Sequence, residues 1–276
     1  MEIETGTDTV VAEVIGRVGI VTLHRPERRN ALHADMYDAV PAVLERFIAD
    51  DAIGCIMITG AGTAFCSGGD VGGGSSRRPA DSTGPAPKQS PQELGRMLAH
   101  DAKMVELLSG SPKITVAALP GAAVGAGMSI ALSADLRIAA RSAKLIPGWA
   151  KLGFSGDFGG TWFLSRLVGP AKALELLVGD VTIDADLAQS LGLFNRVVPD
   201  DAFRSAALSW ATEIADGPRA AQRFIKANVR QADHLELPEA LVAEGERMAR
   251  SAMTDEHRQA VKRWMAQAEA KRAQRI

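Results

Sequence analysis

The chain has 276 residues, 46% of them hydrophobic and 23% charged, with a formal net charge of −2. Such a chain is globular and long enough for one sizeable core and a smaller appended unit, and it lacks the positive excess that nucleic acid or an anionic membrane surface selects. Two cysteines, Cys55 and Cys66, form no disulfide framework or metal-ligand pattern, and Met1-Glu2-Ile3-Glu4-Thr5 has no signal-peptide character, so a reducing, cytoplasmic setting without metal is expected.

In chain order, Thr9 to Val14 and Gly19 to His24 read as the strands of a hairpin. A helical pattern follows from about Ala34 to Asp50, with Met36, Val40, Val43, Leu44 and Phe47 on one face; Pro41 inside it predicts a break or kink. The apolar run Cys55 to Thr59 predicts a buried strand, which leaves into Ala64-Phe65-Cys66-Ser67-Gly68-Gly69-Asp70. The Gly-, Ser- and Pro-rich stretch Gly72 to Pro91 cannot bury much apolar surface, so it is expected to be mobile, as a lid or as a solvated insertion. Helical spacing returns over Gln92 to Leu108, with Leu94, Met97, Leu98, Val105 and Leu108 on one face and Gly110 as its stop. A second apolar strand, Ile114 to Leu119, leaves into Gly121-Ala122-Ala123-Val124-Gly125-Ala126-Gly127. Strands and helices then alternate through Gly169, which argues for an α/β architecture, and beyond Pro199 the spacing of Phe203, Ala207, Trp210, Ile214, Phe224, Ile225 and Val229 is helical.

The two glycine turns carry the chemistry. At a tight strand exit backbone N–H groups can be left bare, and two of them aimed at one point form an oxyanion hole. Losing one such donor typically costs about 2.7–4 kcal/mol of transition-state stabilisation. Around the turns stand His24-Arg25-Pro26-Glu27-Arg28-Arg29-Asn30-Ala31-Leu32, Ile58-Thr59-Gly60, Ala134-Asp135 and Gly159-Gly160-Thr161. In that order, from about Val10 to about Pro199, they resemble the crotonase family, the enoyl-CoA hydratase/isomerase superfamily. The resemblance implies a spiral of ββα turns over residues 1–198, a helical oligomerisation region over 199–276, and a homotrimer or dimer of trimers.

Carried over residue by residue, the resemblance makes Gly69 and Ala126 the two N–H donors. It places the CoA part of an acyl-CoA substrate along the first turn, at Cys66, Ser67, Gly68, Asp70 and Val71, with Arg28, Arg29, Ala31 and Leu32 beside the pantetheine and phosphates. Lys226 is expected to reach a phosphate from the C-terminal part. No cofactor is implied beyond the CoA moiety of the substrate.

One departure is informative. Hydratases of this family use two glutamates, and those positions hold Ser129 and Trp149 here. Serine and indole cannot deprotonate water and return a proton to carbon near neutral pH, so hydration is not expected. The remaining carboxylate is Asp157, at a position used by isomerases and by an aryl-CoA dehalogenase of the family; an Asp just before a helical run also suits an N-cap. The stretch Gly159 to Gly169 looks most like the epoxyphenylacetyl-CoA isomerase branch. For the dehalogenase stand the Trp149–Asp157 spacing and His100, where its base would stand, although Trp149 also suits a pocket wall and His100 the surface. An acyl-CoA isomerase is therefore expected, with a hydratase-like lyase, a dehalogenase-like enzyme and a non-catalytic acyl-CoA-binding protein as alternatives.

Overall fold

The computed structural model describes residues 1–70 and 90–273. Val71 and the expected mobile stretch, all but its last two residues, lie outside the described residues. The chain begins with a short strand β1 (Glu2–Ile3) and the hairpin β2 (Val10–Ile15) and β3 (Val18–Leu23). These pair antiparallel, with Val10 opposite Leu23 and Ala12 opposite Val21. Helix α1 (Met36–Ala49) crosses to β4 (Cys55–Gly60), which lies parallel to β3.

Pro41 does not break α1, which runs through it. Its missing N–H removes one rung, and a mid-helix proline costs about 3 kcal/mol. Against that, Met36, Val40, Leu44 and Phe47 are almost fully buried on the same helix, each contributing roughly 1.5–3 kcal/mol. Packing outweighs the local penalty.

The single helix expected over Gln92 to Leu108 is two, α2 (Pro91–Asp101) and α3 (Lys103–Gly110), parted at Ala102. Ser90 and Glu93 form a reciprocal capping box at the start of α2. Only α3 turns its apolar face inward, through Met104, Val105 and Leu108, while Leu94 and Leu98 of α2 stay exposed. One straight helix would have tied both faces to the same direction.

Strand β5 (Ile114–Leu119) pairs parallel to β4, and a short strand β6 (Ala123–Val124) leads into α4 (Ala126–Ser133), which is buried along its whole length. Strands β7 (Leu136–Ala140) and β8 (Lys144–Ile146) follow, then α5 (Gly160–Val168), α6 (Pro170–Val178), β9 (Ile183–Asp184), α7 (Ala185–Ser190) and β10 (Arg196–Val198). A seven-stranded mixed sheet runs β1-β2-β3-β4-β5-β7-β10, and a small sheet runs β6-β8-β9.

Period-two alternation splits the large sheet's side chains between two cores. Val21, Leu23, Ile56, Ile58, Ala117 and Leu119 face the core shared with α1, α3 and α4. Ile20, Met57, Val116, Ala118 and Ile138 face the other core, closed by Phe203, Ala207, Trp210, Ala211 and Ala215 of helix α8 (Phe203–Ala215). The helices beyond it, α9 (Arg219–Gln231), α10 (Leu237–Ala252) and α11 (Asp255–Ala273), leave Ile225, Val229, Leu241, Val242 and Met248 exposed.

Candidate active site

Both glycine turns leave the same end of parallel strands, β4 and β5, and main-chain hydrogen bonds lay them side by side. Cys66 N–H donates to Ala122 O at 3.3 Å, and Val124 N–H to Cys66 O at 2.9 Å. On the opposite side Leu32 N–H donates to Gly68 O at 2.8 Å and Asp70 N–H to Leu32 O at 3.3 Å. These two bonds bracket Gly69, which is exposed and whose own N–H neither of them uses.

Ala126 opens α4 behind Gly125, which takes φ 53°. Its N–H is one of the four at a helix start that have no intrahelical acceptor, and it lies at the positive end of the helix. The first rung of α4 is Ser129 N–H to Gly125 O, at 3.1 Å. Two glycines permit the close approach of the turns. A methyl group on Gly68 (φ +87°) would sit 2.9 Å from Val124 O and 3.7 Å from Ala126 N, and one on Gly127 would sit 2.3 Å from Cys66 O.

Asp157 lies beside this pair. The indole Nε1–H of Trp149 donates to Asp157 Oδ1 at 3.1 Å, and a methyl group on Gly125 would lie 3.7 Å from that same Nε1. Trp149 therefore stands between the second glycine turn and the carboxylate as a hydrogen-bond donor as well as a buried wall. Burial pushes the Asp157 carboxyl above the usual range, and the indole hydrogen bond pulls it part of the way back. Phe158, buried and at φ 51°, packs against Tyr37 with ring centroids 6.2 Å apart.

Asp157 is not a helix cap: α5 is preceded by Gly159, with no side chain capping it. Ser129 is fully buried, and its hydroxyl donates to Asp157 O at 3.0 Å and Gly125 O at 3.4 Å. A methyl group on Gly160 would meet Ser129 Oγ at 2.5 Å and Trp149 Cη2 at 2.4 Å. Ser129 and Trp149, the residues expected at the family's two glutamate positions, are thus both buried and close-packed.

Of the residues expected along the CoA, Arg28 and Arg29 are exposed, Ala31, Leu32, Cys66 and Gly68 are buried, and Ser67 is half-buried with its hydroxyl donating to Arg28 O at 3.2 Å. Burial pushes the Cys66 thiol up to about 12, so it stays protonated. Asp70 forms a shielded ion pair with Arg25 at 3.1 Å. His100 is on exposed α2, its Nδ1 3.8 Å from Asp101 Oδ1. Among the described residues no group of three or more His, Cys, Asp or Glu is placed for a metal ion, and no helix is long and apolar enough to cross a membrane.

Lys226 requires a correction. Its buried ammonium pairs with Asp135 Oδ2 at 2.5 Å and donates to Lys113 O at 2.9 Å. Those partners lie where β5 and β7 begin, a strand's length from the glycine turns where β4 and β5 end. Burial also holds the Lys226 ammonium down to about 8. Within its own chain Lys226 braces α9 against the sheet and does not reach the site.

Sequence reasoning missed two residues that shape the first turn. Asn30, fully buried at φ 56°, donates to Ala61 O at 2.9 Å and Ala64 O at 2.8 Å and accepts from Arg25 N–H at 3.0 Å. Arg25 donates to Ala31 O at 2.9 Å while pairing with Asp70. A polar residue between exposed arginines and an apolar Ala-Leu is the only signal the chain offered for Asn30.

Residues 13–274 match the family model for enoyl-CoA hydratase/isomerase. The chain is 35% identical over 225 residues to the 1,2-epoxyphenylacetyl-CoA isomerase of Escherichia coli, covering 81% of this chain and 82% of that one. It is also 35% identical over 219 residues to a probable enoyl-CoA hydratase of Rhodobacter capsulatus, with 79% of each chain covered. Among solved structures, an enoyl-CoA hydratase from a Polaromonas species superposes with a TM-score of 0.84 at 29% identity, covering 94% of this chain and 97% of that one. A Thermobifida fusca protein described as a putative enoyl-CoA hydratase in complex with acetoacetyl-CoA superposes with a TM-score of 0.79 at 30% identity, covering 91% of this chain and 97% of that one. The two adjoining glycine turns, the α4 N-terminus and these likenesses together place the chain in the enoyl-CoA hydratase/isomerase (crotonase) family.

Proposed function

We propose that this protein is an acyl-CoA isomerase that moves a proton through an enolate, with Asp157 as the proton carrier. The observation that carries the reading is the Trp149–Asp157 hydrogen bond at 3.1 Å beside the second glycine turn, with Ser129 committed to carbonyl oxygens. The thioester oxygen accepts from Gly69 N–H and Ala126 N–H. Asp157 takes a proton from a carbon of the acyl chain, the C–H electrons pass into the thioester as an enolate, and the carboxylic acid returns the proton at another carbon. Water is neither consumed nor released. A partly buried carboxyl whose affinity for protons is raised suits both halves of that cycle. Support for a CoA thioester comes from the acetoacetyl-CoA complex of the Thermobifida fusca relative. Arg28 and Arg29 are exposed and available to pair with phosphates, and the exposed apolar residues of α9 and α10 suit contact with further copies of the chain in a trimer or a dimer of trimers.

The deciding experiment supplies wild-type protein with a 3-enoyl-CoA and with crotonyl-CoA in water labelled with heavy oxygen. Conversion of the first without label uptake is expected, together with negligible hydration of the second. Rapid label incorporation into crotonyl-CoA would refute the isomerase reading, and inertness towards a panel of acyl-CoA thioesters that nevertheless bind would favour a binding protein.

A second reading has one observation behind it. An indole N–H on a carboxylate also suits a nucleophile that attacks an aryl ring, so the Trp149–Asp157 pair fits a dehalogenase-like enzyme too. Halide release from 4-halobenzoyl-CoA, lost in His100→Ala, would select it over the isomerase.

A further inference from the structure

Behind the Trp149–Asp157 pair sits a second carboxylate that this chemistry does not use. Asp180 follows α6, and its side chain is only 4% exposed. It reaches back across 32 residues to accept from Gly148 N–H at 2.6 Å, and its other oxygen pairs with the Lys151 ammonium at 2.8 Å. Both partners flank Trp149, one before it and one after it. Asp180 itself takes φ 47°, a left-handed conformation uncommon for Asp and maintained only where the surroundings fix it. Lys151 is 72% exposed and would otherwise be free in solvent, so the aspartate also anchors the short helical turn Ala150–Leu152 that follows the indole.

The segment held this way touches both halves of the site. Ile146 O accepts from Gly125 N–H at 2.9 Å, which fixes the residue just before the Ala126 donor. Gly148, at φ +72°, packs close enough to the second glycine turn that a methyl group on it would lie 3.3 Å from Val124 Cγ1. Trp149 then carries the hydrogen bond to Asp157. The bond is part-buried and short, and removing it leaves Gly148 N–H without its carboxylate acceptor and frees the backbone at Gly148 and with it the direction of the indole.

We propose that Asp180 is a positioning residue: by clamping Gly148 and Lys151 it aims the Trp149 indole at Asp157 and holds that segment against the oxyanion turn. The consequence for turnover rests on the reading of Asp157 as the proton carrier; the consequence for the indole does not.

The test compares Asp180→Ala, Asp180→Asn and Lys151→Met in the full chain, each read in two ways. One is the indole N–H nitrogen-proton resonance of Trp149, identified by its loss in Trp149→Phe and calibrated by its shift in Asp157→Asn. The other is kcat and KM for 3-enoyl-CoA isomerisation. Asp180→Ala is expected to displace the Trp149 resonance in the direction seen for Asp157→Asn and to lower kcat about tenfold or more, with KM within a few-fold. Asp180→Asn keeps an acceptor for Gly148 N–H, so it and Lys151→Met should give the same signs with smaller size. An unmoved Trp149 resonance in folded Asp180→Ala overturns the proposal. If that variant does not fold, unmoved resonances in both Asp180→Asn and Lys151→Met overturn it instead. A displaced resonance in protein whose wild type turns over no 3-enoyl-CoA leaves the clamp standing and refutes the isomerase reading.

Discussion

Replacing Trp149 by Phe removes one donor from Asp157 and keeps an aromatic wall. The indole N–H lies 3.1 Å from the carboxylate, and hydrogen bonds to charged groups contribute about 1.5–3 kcal/mol. Asp157 is partly reachable by solvent, and water replaces some of what the indole supplied, so the lower end, ~1.5 kcal/mol, applies. The sign follows from the states involved. The indole stabilises the carboxylate and so lowers its proton affinity, whereas burial raises it; without the donor, only the raising influence remains. A base acts in its deprotonated form, so the acid limb of kcat against pH should move to higher pH. Turnover should fall about tenfold on the acid side of the profile, at 1.36 kcal/mol per factor of ten, and recover towards wild type at alkaline pH. Stopped-time isomerisation of a 3-enoyl-CoA across pH, with thermal unfolding in parallel, separates this from the roughly 1–2 kcal/mol that a gap beside Gly160 costs the fold. A melting temperature that falls while the acid limb stays in place would mean that Trp149 only packs and that Asp157 is not the titrating base.

The other predictions use different positions. Asp157→Asn should abolish isomerisation, bind the CoA thioester within a few-fold of wild type, and melt higher at neutral pH. The last follows because a carboxyl with raised proton affinity in the fold loses stability as pH climbs through its folded value, and the amide avoids that loss; a lower melting temperature would contradict the cause assigned to the shift. Gly69→Ala meets nothing within 4 Å, whereas Gly127→Ala drives a methyl group into Cys66 O. Calorimetry should therefore show the first near wild type and the second down by roughly 1–3 kcal/mol, and equal stabilities would refute the close approach of the turns. Lys226→Met should destabilise by roughly 2 kcal/mol, less than the about 3–5 kcal/mol of a fully orphaned buried charge, because Arg230 still reaches Asp135 at 3.0 Å. Its kcat per folded molecule should be unchanged, and a raised KM for CoA esters would restore Lys226 as a phosphate ligand.

The strands were legible because they are unbroken apolar runs. Ile114–Leu119 forms over the residues expected, and the hairpin is displaced by only one residue. The glycine turns were legible for the same reason in reverse, as abrupt losses of side chain at strand exits. What escaped was fixed by partners far along the chain. Lys226 sits in a plain helical pattern, and only the fold shows that Asp135, 91 residues away, claims its ammonium. Asn30 and Arg25 stand in the His24–Leu32 motif without an assigned role, and only the fold brings Ala61 and Ala64 up as acceptors for the Asn30 amide. The Pro41 break was a local rule applied to a helix whose burial overrides it. At Trp149 the resemblance allowed a wall or a donor, and only the fold shows that the ring serves as both.

The main-chain stitching of Cys66 to Ala122 and Val124 divides the site's vulnerability to mutation in a particular way. On the proposed reading charge is stabilised by peptide groups, which a side-chain change at Gly69 leaves in place, while proton handling is left to Asp157 and its Trp149 donor. A single codon change can therefore alter which bond is made or broken without dismantling the part that makes an acyl thioester reactive. On that reading the peptide framework makes the thioester reactive, and the choice of bond rests on one carboxylate and the indole that donates to it.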